Sequence, residues 1–221
     1  MDVWQAVETR RSIRRFLDTP VPYETIRRVL DRARMAPSGC NFQPWRATVL
    51  TGAPLRALQE KMLASEQQDP IEYSFSEPNA SPLHLARLQN LGACMYGAMD
   101  VARDDKEGRG DFSRQNIFSF GAPVLLLCHF ERFMGPPQWS DVGMWLQTIM
   151  LLLRDEGLDS CPQEWMSLYA RLIKAEIGVS DEEQILFCGV GIGYRDPGAS
   201  VNNFERPRVP LDDQVRFAGW E

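Results

Sequence analysis

Apolar residues recur at helical spacing in several separated windows of the chain, with short apolar runs between them. Val3, Ala6 and Val7 share one face of a short helix that Asp2 can cap and that ends near Arg10. Ile26, Val29, Leu30 and Ala33 predict a second helix over 23–36, with Pro22 near its first turn. Leu55, Leu58, Met62 and Leu63 predict a helix over 54–67, and the Ala-, Leu- and Met-rich stretch 83–101 predicts another. Residues 140–156 are apolar nearly all round, so that helix must be buried on most sides, in a core or an oligomer interface. Gly157 is its stop. Residues 165–177 predict a helix that ends at Gly178.

The strand signals are shorter. "RATVL" (46–50) predicts one strand. "APVLLLCHF" (122–130) is apolar without alternation, which predicts a strand covered on both faces, and "QILFCGVGIGY" (184–194) predicts a central strand. "APSGCNFQPW" (36–45) is rich in turn formers. Residues 68–82 carry three prolines and predict a mobile loop; 103–119 read as irregular or weakly helical, and "MGPPQW" as a turn. The last 25 or so residues have few periodic apolar positions and predict an extended arm that lies on something, another subunit among the options. Three or four strands and about six helices in this order make an α+β domain spanning 1–221, with the arm at about 199–221. Regular βαβ alternation is absent, which disfavours a doubly wound sheet.

Composition narrows the chemistry. The 221 residues carry a net charge of −6, and no apolar run approaches the ~18 residues that span a bilayer, so no membrane partner is expected. An acid at position 2 and the lack of an apolar leader predict no signal peptide. Cys40, Cys94, Cys128, Cys161 and Cys188 are odd in number and widely spaced, which fits a reducing cytoplasm better than a disulfide framework or a zinc site. A metal site or a Ser-His-Asp triad would have to use His84 or His129. The acidic balance argues against nucleic acid as a partner.

Against that acidity, "TRRSIRRF" (9–16) stands out. Arg10 and Arg11 can simply close a helix, where cations suit the negative end of the macrodipole, and Arg14 and Arg15 can be solvated. The other reading has them converge. In an extended segment Ser12, Arg14 and Phe16 share one face and Arg11, Ile13 and Arg15 the other, with Ile13 and Phe16 drawing arginines toward the core. Like charges held close repel unless an anion lies between them, and a phosphate suits the guanidinium fork, with Ser12 adding a donor. Near the other end, "NNFERPRVPLD" places Arg206 and Arg208 two apart, on one side of an extended chain. Two such clusters suggest a site where the chain ends meet.

With "RRSIR" at 10–14, "PSGCNFQPW" at 37–45, "CPQE" at 161–164 and "RPRVPLD" at 206–212, the chain resembles the FMN-dependent nitroreductases over nearly its whole length. The resemblance implies a mixed, mostly antiparallel sheet flanked by helices, a C-terminal arm wrapping the partner subunit, and a homodimer with an FMN in each of two interface sites. By the same resemblance Arg10, Arg11, Ser12 and Arg14 hold FMN, with Arg10 and Arg208 suited to the phosphate, Arg206 a further cofactor contact and Arg14 toward the pyrimidine ring. Pro37, Ser38 and Gly39 come from the partner, Asn41 and Gln43 are further contacts, and Pro162, Gln163 and Glu164 offer backbone groups to the ring.

The implied activity is ping-pong transfer of two electrons from NAD(P)H to a nitroaromatic or quinone-like small aromatic acceptor. FMN N5 carries the chemistry, and no side chain acts as a dedicated catalyst. Cys161 then reads as a packed residue, and Tyr73, Phe75, Phe112, Phe118 and Trp139 as candidate walls of an aromatic pocket. Alternatives are a reductive dehalogenase or flavin-fragmenting branch of the family, a non-catalytic FMN-binding protein, and an anion-binding module without flavin. A Rossmann reading of "GVGIGY" (189–194) lacks the final spacing and lies too late to open a βαβ unit.

Overall fold

Four strands pair in the order β1–β2–β4–β3, every neighbour antiparallel: β1 (Arg46–Thr51), β2 (Val124–Glu131), β3 (Asp159–Gln163) and β4 (Gln184–Gly193). The computed structural model describes residues 1–220. Seven helices accompany the sheet among them: α1 (Val3–Thr9), α2 (Tyr23–Ala33), α3 (Gly52–Leu63), α4 (Pro82–Gly97), α5 (Lys106–Arg114), α6 (Pro136–Asp155) and α7 (Ala170–Glu176).

The period of two along β2 explains its unbroken apolar run. Val124, Leu126, Cys128 and Phe130 face α2 and α6, packing on Val29, Ala33, Val142, Trp145 and Ile149. Leu125 and Leu127 face the other way, onto Leu55, Leu58 and Met62 of α3 and Ile173 of α7. The sheet is thus the middle of three layers, and both of its faces must be apolar. A register shift between Cys128 and His129 bends the β2–β4 pair.

The alternating glycines of "GVGIGY" follow from the same layering. A Cβ at Gly189 would lie 2.8 Å from Met166 Cγ, and one at Gly193 would lie 2.7 Å from Pro123 Cδ. These residues let neighbours close onto β4, so they serve packing and cradle no phosphate.

Several sequence expectations change. The helix expected at 140–156 starts at Pro136, because Pro136 and Pro137 occupy a first turn whose N–H groups need no helical partner; "MGPPQW" therefore opens a helix where a turn was expected. That helix is not covered all round in one chain, since Gly143 and Met144 are exposed. Residues 161–163 of the "CPQE" motif lie in β3. Residues 164–169 form a 3-10 segment, and α7 starts only at Ala170. The helix expected at 54–67 stops at Leu63.

The proline-rich stretch expected to be mobile is pinned at its start. Buried Lys174 donates to Glu72 Oε1 (2.8 Å), which also accepts from Leu186 N–H (3.2 Å), and Tyr73 Oη donates to Phe187 O at 2.6 Å. By contrast, α4 has no buried residue, and Leu83, Leu88 and Leu91 on it are exposed.

Candidate functional site

The edge of β3 is where the chain ends meet. Asp159, at the start of β3, is buried and accepts two hydrogen bonds from Arg195 (2.7 and 2.5 Å) and one from Arg154 (2.9 Å). This clamp joins β3, the end of β4 and the end of α6. On the open edge Ser12 bridges Ser160 in parallel, with Ile13 N–H donating to Ser160 O at 3.0 Å, and Phe16 bridges Arg195 antiparallel. Fully buried Asn202 fixes the segment from behind. Its Oδ1 accepts from Arg14 N–H (2.9 Å), and its Nδ2 donates to Arg15 O (2.8 Å) and Asp196 O (3.0 Å).

The alternation expected for residues 12–16 does not hold. Ile13 and Phe16 are both buried, in one cluster with Phe120, Ala122 and Cys161. The segment makes two isolated bridges and no ladder, so its side chains are free of the period of two. Arg15 is left exposed, while Arg10, Arg11 and Arg14 are partly buried.

The tail arginines come to the same place. Arg206 donates to the carbonyl oxygens of Arg10 and, at 2.8 Å, Glu8. Arg11 donates to Phe204 O and stacks over the Phe204 ring at 5.3 Å. Burial lowers the pKa of Arg10, with Arg208 adding repulsion, and burial lowers that of Arg206, with Arg11, Arg10 and Arg208 adding theirs. Each guanidinium still carries its charge at neutral pH. Among the described residues no carboxylate pairs with Arg10, Arg11, Arg14, Arg206 or Arg208; the buried acid nearby, Asp159, is taken by Arg154 and Arg195.

Beside this cluster Arg14 lines a cleft with Cys161, Pro162, Gln163 and Asn116. Gln163 is buried. Its Nε2 donates to both oxygens of Asn116, backbone and side chain, at 3.0 Å, and its Oε1 has no hydrogen-bond partner. Glu164 is exposed, one residue beyond β3. Burial pushes the Cys161 thiol up to about 11, so at neutral pH it is no thiolate nucleophile.

The "PSGCN" loop lies elsewhere in the chain. Gly39 N–H donates to both carboxylate oxygens of buried Asp141, at 3.2 Å each, near the start of α6. The end of α6 meets α1 through Met1–Asp155 (2.5 Å) and Arg154–Thr9 (3.4 Å). Fourteen residues of helix separate the two places, roughly 20 Å. So one chain does not bring Pro37, Ser38, Gly39, Asn41 and Gln43 to the arginines.

Cys40, Asn41 and Gln43 all have left-handed backbone, with φ of 51°, 57° and 48°. Such conformations in non-glycine residues persist only where their surroundings hold them. Ser38 Oγ helps by accepting from Gln43 N–H at 3.0 Å, and Gln43 Nε2 turns back onto Asn41 O at 3.0 Å.

The expected aromatic pocket does not assemble. Phe75 and Trp139 meet Tyr73 edge to face, Trp139 meets Phe187 the same way, and Phe118 packs with the α3–α7 layer. Of the five, Phe112 alone lines clefts with Arg14. The pattern of the sequence did not single out Asn116, Asp141, Asp159 or Asn202. Asp141 had one available signal, as an acid inside a helix otherwise apolar nearly all round.

Residues 7–194 match the family described as "Nitroreductase family". A 4-nitrobenzoate reductase from Pseudomonas putida is 35% identical over 97% of this chain and 95% of its own length. Among solved structures, the FMN and NADPH-dependent nitroreductase NfnB from "sphigopyxis sp. strain HMH" superposes with a TM-score of 0.94 at 42% identity, covering 100% of both chains. The FMN-dependent NfnB from Mycobacterium smegmatis, solved in complex with NADPH, superposes with a TM-score of 0.90 at 30% identity over 99% of this chain and 100% of its own.

Proposed function

The chain belongs to the nitroreductase family, and from that membership we propose that it is an FMN-dependent enzyme passing electrons from NAD(P)H to a nitroaromatic acceptor, in a site completed by a second copy of the chain. The observation that carries this reading is the convergence of arginines from both chain ends, with no carboxylate among the described residues paired to them. The unpartnered Gln163 Oε1 beside Arg14 adds a buried acceptor that a ligand's donor would satisfy. A phosphate and a polar ring fit this set of groups; a neutral apolar ligand would leave it uncompensated.

Arg10, Arg208 and Ser12 would hold the FMN phosphate by charge-assisted hydrogen bonds, with Arg11 and Arg206 adding positive charge from their places on Phe204 O and the end of α1. Arg14 and the backbone of Pro162, Gln163 and Glu164 would face the ring. A bound FMN would supply the two-electron chemistry that links NAD(P)H to the acceptor. The chain orients both ligands, holds positive charge beside the ring through Arg14 and narrows the entrance with α4. Donor and acceptor use one cleft in turn, which is the basis for a ping-pong order.

The second copy would bring Pro37, Ser38 and Gly39, with Asn41 and Gln43, across the roughly 20 Å that one chain leaves open. The exposed apolar residues Val3, Trp4, Leu83, Phe217 and Trp220 supply surface for such a pairing. Among the described residues no helix is long and apolar enough to cross a membrane.

The test is a visible spectrum of the purified protein followed by anaerobic titration. The expected protein is yellow, bleaches with NADPH or NADH, and regains colour with a nitroaromatic; double-reciprocal plots for the two substrates run parallel. A colourless protein unchanged by added FMN would overturn the reading. A yellow protein that never turns over with any acceptor would reduce it to a flavin carrier.

A further inference from the structure

The cleft between α4 and α5 is unequal at its two ends. Its volume is about 690 Å3, and its walls include Leu88, Leu91, Met95, Tyr96 and Val101. Among the described residues its charged lining is Arg14, Arg103 and Arg109. Arg14, Met95 and Tyr96 also line the smaller cleft against Cys161 and Gln163, whereas Arg103 and Arg109 do not. So Arg14 is shared by the two clefts, while Arg103 and Arg109 belong to the larger one alone, among mostly apolar walls.

Among the described residues neither Arg103 nor Arg109 enters an ion pair with a carboxylate. Arg109 stacks over Tyr96 with its guanidinium carbon 4.4 Å from the ring centroid, and its Nη1 donates to Arg103 O at 3.3 Å. A stacked guanidinium keeps its edge N–H groups available to a planar anion. Tyr96 in turn meets Phe112, and Phe112 meets Phe120 of the buried cluster, so Arg109 is held in place through aromatic contacts. The acids of this segment do not quench the pair. Asp105 accepts from Gly108 N–H, Asp111 pairs with Arg114, Asp104 and Glu107 form no ion pair with either arginine, and among the described residues no acid lines the cleft.

We infer that Arg103 and Arg109 form an anion-selecting end of this cleft, so that its preferred acceptor is an aromatic ring bearing a carboxylate. The inference rests on the functional reading above and adds the substrate class to it. The nitro group lies toward Arg14 and β3, and the carboxylate toward the arginine pair. An anion could also arrive on the electron donor, as the phosphate that distinguishes NADPH from NADH, and the experiment separates the two.

On the FMN-loaded protein, kcat/KM is measured for 4-nitrobenzoate and for its methyl ester, and for NADPH and NADH, in the native chain and in Arg103→Gln, Arg109→Gln, Arg109→Lys and Arg114→Gln. The native chain is expected to prefer the acid. Arg103→Gln and Arg109→Gln are expected to lower the acid-over-ester ratio roughly 10–100-fold, Arg109→Lys to lower it less, and Arg114→Gln to leave it in place. Arg103→Gln keeps the Tyr96 stack, so its result does not depend on α4 holding position.

A calorimetric comparison of benzoate with benzamide reads the same preference without turnover. Its loss in Arg109→Gln would support the inference even if no acceptor were reduced and the functional reading fell. An unchanged acid-over-ester ratio overturns the inference, as does a fall confined to NADPH over NADH, which would assign the pair to the donor.

Discussion

The guanidinium of Arg206 donates to the backbone carbonyl of Arg10, joining the tail of the chain to the end of its first helix. Its other nitrogen reaches the carbonyl of Glu8, so Arg206 caps helix carbonyls that would otherwise lack partners. Arg10 has a different task. Its side chain enters no ion pair among the described residues, lies partly buried and faces Arg208. Removing Arg10 therefore takes away a ligand for an anion, while Arg15, exposed nearby, contributes little. Arg10→Ala is expected to weaken FMN binding about 10–100-fold and Arg15→Ala by no more than about twofold, by titration of flavin fluorescence. Equal losses would show that the phosphate lies elsewhere.

Gly39 tests whether a second chain completes the site. A Cβ there would meet nothing closer than 3.8 Å, and the backbone is not left-handed, so alanine fits in the isolated chain. Gly39→Ala is expected to leave thermal unfolding of the apoprotein within about 0.5 kcal/mol of native. It is expected to weaken FMN binding several-fold, since in the proposed dimer this position lies against the flavin of the other copy. Unchanged FMN affinity would remove the loop from the site.

Much of this was legible because each signal had a local cause. Asp2 and Gln5 form a capping box that starts α1, as the acid at position 2 suggested. Gly157 and Gly178 stop their helices with left-handed φ of 74° and 68°. The double-sided burial of β2 was written in its unbroken apolar run. What failed depended on distant partners. Nothing near Asp159 in sequence says that Arg195 will clamp it, and nothing near Tyr73 says that it will bond Phe187 O. The facing of residues 12–16 was misread because a segment held by single bridges follows its anchors, Ile13 and Phe16, and not a strand's period. Two of the four motifs, "RRSIR" and "RPRVPLD", carry the arginines that the fold gathers, but only the fold shows that the "PSGCN" loop is a helix length away from them.

His129 gives the chain a defined acid sensitivity. It is buried, with Nδ1 2.8 Å from Gln184 Oε1, and burial lowers its pKa below the ordinary 6.5, with Arg46 pushing the same way. The folded chain thus binds this proton less readily than the unfolded one. Stability is expected to fall as pH drops below about 6.5, with a slope approaching ~1.4 kcal/mol per pH unit until the folded-state value is passed. Above that window the residue adds no pH dependence. His129→Gln should flatten this limb in urea unfolding between pH 5 and pH 7 (roughly the range set by the histidine value). The carboxylates held low by cationic partners, Glu131 and Asp181, act at more acid pH, below 4.5 and 3.8. An unaltered slope in His129→Gln would assign the loss to another group.

The glycines of β4 yield the sharpest stability contrast. At Gly193 a Cβ would press on Pro123 Cδ at 2.7 Å and Phe16 Cδ1 at 3.1 Å. Pro123 is a rigid ring at the entry to β2, and Phe16 anchors the arginine segment in the buried cluster. Neither yields cheaply, so Gly193→Ala is expected to cost about 1–3 kcal/mol. For a chain of this length that lowers Tm by roughly 2–4 °C per kcal/mol. Because Phe16 must move, the same variant should also loosen FMN. Gly110, inside α5, has nothing within 4 Å of its would-be Cβ, and Gly110→Ala should instead raise stability by about 0.5–1 kcal/mol through helix propensity. Thermal unfolding of the two variants side by side decides the matter: if Gly193→Ala is as stable as native, the close approach of Phe16 and Pro123 to β4 does not hold the arginine segment in place.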